Sequence, residues 1–123
     1  MTRISVPKMT EEQLIERFVF IATEQDQAML YDDNRRYNQL YDKMKDVEQE
    51  LKQRPGDQRR VLLSLLEHEN LQVKLRAALA TLAVAPEASR AVLQWLSDRN
   101  RYPQAADARE MLDALDDGSY VPT

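Results

Sequence analysis

Asn70-Leu71-Gln72-Val73-Lys74-Leu75-Arg76-Ala77-Ala78-Leu79-Ala80-Thr81-Leu82-Ala83 has apolar residues on two sides of a helix at once. At about 100° per residue, Leu71, Leu75, Ala78, Leu79 and Leu82 fall on one side, and Val73, Ala77 and Ala80 nearly opposite. Two narrow polar strips remain, Gln72 with Arg76 and Lys74 with Thr81. A helix of this kind needs packing partners on both flanks, which predicts the middle position in a stack of helices.

Outward from that segment, five more helices follow from punctuation and period. Thr10 and Gln13 have the spacing of a capping box, and behind them Leu14, Phe18, Ile21, Ala22 and Met29 mark one face of a first helix ending near Tyr31. Asp32-Asp33-Asn34 supplies a turn and an N-cap. Tyr37, Leu40, Tyr41, Met44, Val47 and Leu51 then recur at three and four residues until Pro55-Gly56. One bent helix through Asp33 is the alternative, since none of those three residues forbids a helix. Asp57 caps a third helix with Val61, Leu62, Leu65 and Leu66, and Asn70 caps the fourth. Pro86 opens a fifth with Ala88, Val92, Trp95 and Leu96 inward. Pro103 opens a sixth with Ala105, Ala108, Met111, Leu112 and Leu115 inward, ending at Gly118. No stretch alternates with period two long enough for a strand.

A shift of 30 residues superposes Leu62 on Val92, Leu65 on Trp95, Leu66 on Leu96, Asn70 on Asn100, Ala78 on Ala108 and Leu82 on Leu112. The fold class expected is therefore all-α, a short α-α superhelix of three stacked helical hairpins with HEAT-like character and six helices. As a single domain it divides into a leader (1–9), hairpins at 10–54, 57–83 and 86–116, and a tail (117–123). A plain helical bundle is the competing architecture.

The chain resembles a bacterial family of short, all-helical, HEAT-like proteins catalogued only as a domain of unknown function. The resemblance rests on Asn38-Gln39-Leu40-Tyr41, Arg54-Pro55-Gly56-Asp57-Gln58-Arg59, His68-Glu69-Asn70-Leu71-Gln72-Val73, Ala85-Pro86-Glu87-Ala88, Pro103-Gln104-Ala105-Ala106-Asp107-Ala108 and Asp116-Asp117-Gly118. It implies an α-superhelical fold and brings no activity, cofactor or catalytic residue with it.

The 123 residues contain no cysteine, which removes disulfides, thiolate nucleophiles and cysteine-bound metals. The opening residues lack the apolar run of a signal peptide and no membrane-length span follows, so a cytoplasmic protein that does not enter a membrane is expected. The net charge is −4, with balances of −2, +2 and −4 over residues 1–54, 55–101 and 102–123. That is far from the basic footprint of phosphate-backbone binding.

Chemistry is sparse. His68, the single histidine, lies between Glu67 and Glu69 in a turn, and Gln72 stands where a second zinc-binding histidine belongs. Asp32-Asp33 and Asp116-Asp117 lack the spaced ligands of a calcium loop and read as turn and cap residues. There is no glycine-rich phosphate loop and no nucleophile elbow. Neither a cofactor nor a metal is expected, and the leading reading is a non-catalytic protein-interaction module, a regulator or antidote of another bacterial protein. The alternatives are a nucleic-acid-binding repeat protein and a small-molecule-binding protein or enzyme.

The candidate partner-binding residues are Asn34, Tyr37, Asn38 and Tyr41, at i, i+3, i+4 and i+7 of the second helix, with Lys74, Arg76, Arg59 and Arg60. Two readings of the Asn/Tyr stripe stand: a binding patch, or rings buried against the first helix. Trp95 is assigned to the core because Val92 and Leu96 share its face. Either a monomer or a homodimer is expected: Ile15, Val19 and Phe20 lie off the main face of the first helix, to be covered by a second copy or by Ile4, Val6 and Met9 of the leader.

Overall fold

A computed structural model of the chain describes residues 4–123. The first three residues of the expected leader, Met1, Thr2 and Arg3, lie outside the described residues. A 3-10 turn (Val6–Lys8) precedes α1 (Glu11–Leu30) and α2 (Asn34–Gln53). A 3-10 helix (Gln58–Glu67), α3 (Leu71–Ala80), α4 (Pro86–Arg99) and α5 (Gln104–Asp117) follow. The protein is all-α, with six helices besides the opening turn and no strand among the described residues. It forms two compact units that divide between Val61 and Leu62.

In the first unit, α1 starts where Thr10 Oγ1 accepts from Gln13 N at 3.1 Å and Gln13 Oε1 accepts from Thr10 N at 2.9 Å, a complete capping box. The chain does not continue as one bent helix: Asp32 turns left-handed at φ 54°, and Asp33 caps α2 by accepting from Arg36 N at 3.0 Å. Leu14, Phe18, Ile21 and Ala22 of α1 and Leu40, Met44, Val47 and Leu51 of α2 are fully buried, a seam of period 3.6 on each helix. At the far end of α2, Arg54 bonds Glu50 Oε2 at 2.8 Å and donates to the Met9 carbonyl at 2.7 Å, clamping the incoming segment.

Asp57, expected as an N-cap, accepts from Arg59 N at 3.4 Å and also sits at φ 52° with its carboxylate bidentate on the Arg59 guanidinium: Oδ1 accepts from Nε at 2.8 Å and Oδ2 from Nη2 at 2.6 Å. These side-chain bonds hold the Asp57 carboxyl below the usual carboxylate range against the opposing effect of burial. A depressed folded-state pKa adds stability above the unfolded value of about 3.9 and loses it as pH falls through the folded value. Asp57→Asn, which tolerates the same backbone, is therefore expected to lower stability near neutrality by under about 1 kcal/mol, since the pair is partly exposed. The difference from wild type should close on acidification, as read by urea midpoints across pH.

In the second unit, Asn70 Oδ1 accepts from Gln72 N at 2.9 Å and Val73 N at 3.1 Å, the cap expected for α3. The second apolar side of α3 is covered: Val73, Ala77 and Ala80 are 0%, 0% and 4% exposed, with Leu75, Ala78 and Leu82 buried as well. The Gln72–Arg76 strip is buried too, and so is Thr81 of the other strip. Gln72 accepts from Gln104 Nε2 of α5 at 2.9 Å, and Thr81 shares a 2.7 Å hydroxyl bond with Ser89 of α4.

The inward face of α4 differs from the expected one. Ser89, Leu93, Leu96 and Ser97 are buried, Ala88 is exposed and Val92 only half-buried. The helix is turned so that the Ser89 hydroxyl meets Thr81, and a serine satisfied in this way costs little to bury. α4 ends at Asn100 in the left-handed region, φ 56°. Asn70 and Asn100, equivalent in the 30-residue repeat, thus do opposite jobs, one opening a helix and the other closing one.

Arg109 of α5 secures that turn. Its guanidinium donates to the Ser97 carbonyl at 2.7 Å, to Ser97 Oγ at 3.1 Å, to Asn100 Oδ1 and to the Tyr102 hydroxyl. The Ser97 carbonyl is one of the last of α4, and from the helix end it accepts a long 3.4 Å bond from the capping Asn100 N. Arg109→Met keeps the stem but removes four bonds, and about 1–3 kcal/mol of stability is expected to go with them, read by thermal unfolding.

Candidate functional site

The candidate residues fall into both units. On α2, Asn34, Asn38 and Tyr41 are exposed and Tyr37 is half-buried, and the Lys45 ammonium lies 5.2 Å from the Tyr41 ring centre. Of the two readings of this stripe, the burial pattern places Asn34, Asn38 and Tyr41 at the surface. Arg60 is exposed, whereas Arg59 is engaged with Asp57 and its side chain is 11% exposed.

Arg76 does not hold as a surface contact: it is 7% exposed. The strip it shares with Gln72 is covered where α5 delivers Gln104. Near it, Asp107 has its carboxyl pKa raised, first by the protein atoms crowding it and then by Glu110, against the pull of Arg76.

Trp95 is the main departure from expectation. It is 39% exposed, a consequence of the rotation of α4 that buries Leu93 in its place. The ring is not loose. The Lys74 ammonium of α3 lies 4.6 Å from its centre and the Arg99 guanidinium 4.3 Å. Lys74 is itself fixed, donating to the Leu66 carbonyl at 2.7 Å. Aromatic quadrupole, cation and carbonyl thus hold one another in place, and the indole stands at the surface in a set orientation. Sequence singled out Lys74 without its ring. The available signal was Arg99 four residues after Trp95, a spacing that brings a cation onto an exposed indole.

His68 serves its turn, accepting from Asn70 N through Nδ1 at 3.0 Å. Among the described residues no group of three or more His, Asp or Glu is placed to hold a metal ion, and no helix is long and apolar enough to cross a membrane.

The chain is similar over 98% of its length, at 43% identity and a TM-score of 0.94, to the whole chain in the crystal structure of the protein RPA1889 from Rhodopseudomonas palustris CGA009. No curated protein matches it. The family profile described as "Domain of unknown function (DUF2019)" matches residues 12–116, a span that takes in every helix from α1 nearly to the end of α5, and the chain belongs to that family.

Proposed function

We propose that this chain is a non-catalytic protein-interaction module that acts by occupying another bacterial protein, as a regulator or antidote. The observation that carries the reading is Trp95, held at the surface between Lys74 and Arg99. Tryptophan and arginine supply a disproportionate share of interface binding energy, and an anchor fixed before binding loses little freedom on docking. The two cations select a partner that offers an apolar pocket rimmed by carboxylates. Asn34, Asn38 and Tyr41 of the first unit offer a second, more polar contact surface.

The test is affinity capture from the native host with the wild type, Trp95→Ala and Arg99→Glu, each checked for fold by circular dichroism. A protein retained by the wild type and depleted at least tenfold by both variants is the expected outcome. Equal retention by all three removes the reading. The cations at Trp95 also suit nucleic-acid phosphates, so a gel shift with single-stranded DNA at rising salt belongs beside the capture. Binding that falls steeply with salt replaces the protein partner by a nucleic acid.

A further inference from the structure

A groove of about 590 Å³ runs along α1 and α2 in the first unit. Its floor is apolar and buried, formed by Met9, Ile21 and Leu40. Phe20 stands on one wall, 57% exposed, and Ile4 joins it from the N-terminal segment. The described part of the leader, residues 4–9, therefore lines the groove with Phe20 and leaves that ring more than half exposed. The rim carries Arg17 from α1 and Arg36 and Lys43 from α2, against one carboxylate, Glu16. Arg17 and Lys43 make no ion pair among the described residues, and Arg36 has one, with Glu24 at 3.3 Å. In a chain of net charge −4 this is a local reversal of sign. The Asn34–Tyr41 stripe lies on the other flank of α2, since Lys43 and Tyr41 are about 200° apart around the helix.

We infer that this groove docks an acidic amphipathic helix of a partner protein. The lining residues of α1 run from Gln13 to Ile21, about 12 Å along the helix, which matches the ~10.5 Å between anchors at i and i+7 of a third helix. Two helices with an open seam between them receive a third as a bundle does. A small ligand requires more enclosure, with 70–90% of its surface buried as a rough norm, and Phe20 at 57% exposure does not provide it. Cations on both rims place glutamate or aspartate on both sides of the incoming apolar stripe. The chain's own acidic helix, α5, cannot be that occupant in a second copy, because its Ala105, Ala108 and Leu112 are already buried.

The test uses a fluorescein-labelled helical peptide of about five turns with Leu and Phe at i, i+4 and i+7 and Glu flanking them. Its isomer carries Lys in place of Glu. The Glu peptide is expected to bind at least tenfold more tightly than the Lys isomer, to weaken at about 0.5 M salt, and to shift amide resonances lining the groove. Arg17→Glu with Lys43→Glu should abolish the preference, Phe20→Ser should weaken binding at least tenfold, and Trp95→Ala should change nothing, because this groove is independent of the Trp95 patch. Equal affinity for both peptides, resonance shifts elsewhere, or no binding up to about 1 mM overturns the proposal. So does decanoate binding without peptide binding, which assigns the groove to a small amphiphile. A wild-type dimer that Phe20→Ser dissolves in sedimentation also overturns it and assigns the groove to a second copy.

Discussion

Ala77→Asp is expected to destabilise the second unit by about 4 kcal/mol at pH 7, a loss on the scale of the whole stability of a small domain. Ala77 is fully buried on the alanine side of α3. A carboxyl placed there has no water, and in such sites its pKa rises by roughly 3–5 units. The sign follows from linkage. A raised folded-state pKa leaves the protonated form favoured in the native state, so the ionisation penalty is full above the folded value, shrinks as pH falls from there towards the unfolded value of about 3.9, and is gone below it. Urea titration followed by Trp95 fluorescence reads it, since Trp95 is the one tryptophan and belongs to this unit. Ala77→Gly is the control, costing about 1 kcal/mol through helix propensity alone. A small, pH-independent loss in Ala77→Asp would mean that water reaches the alanine side.

The enclosure of α3 is legible in the sequence because the signal is redundant. Leucines on one side and small residues on the other, behind an Asn70 cap, fit only a helix covered on both flanks. The α1–α2 turn is legible for a similar reason: the capping box and Asp33 each act on local backbone and need no distant partner. The form of the Gln58–Glu67 helix is not, because Leu62 and Leu65 three apart suit a 3-10 helix and an α-helix equally.

The residues that sequence misplaces depend on pairs far apart in the chain. Arg76 reads as a surface cation until Gln104 arrives over the strip it shares with Gln72. Ser89 is not among the inward residues that the apolar period picks out in α4, yet its hydroxyl meets Thr81, and with Ser89 inside Trp95 is turned to the surface. The groove leaves only a fragment of signal, Phe20 off the main face of α1 with an apolar leader nearby. Its basic rim is assembled from two helices and no single segment displays it.

Phe18→Ala and Phe20→Ala, two residues apart on α1, are expected to differ by about 3–5 kcal/mol. Phe18 is the largest fully buried side chain among the described residues, enclosed with Leu14 and Ile21. Its truncation removes a buried ring and leaves a cavity that the surrounding helices fill only in part, costing about 3–5 kcal/mol. Phe20 lies about 200° around the helix, mostly in water, and its truncation is expected to change stability by no more than about 0.5 kcal/mol. Urea titration followed by circular dichroism should show a lower midpoint with an unchanged slope for Phe18→Ala and superimposable curves for Phe20→Ala and wild type. In the groove proposal this ring is the contact offered to the partner helix, and its stability effect and its binding effect are separable. In the peptide assay the order should therefore invert, with Phe20→Ala losing affinity and Phe18→Ala keeping it under conditions where it is folded.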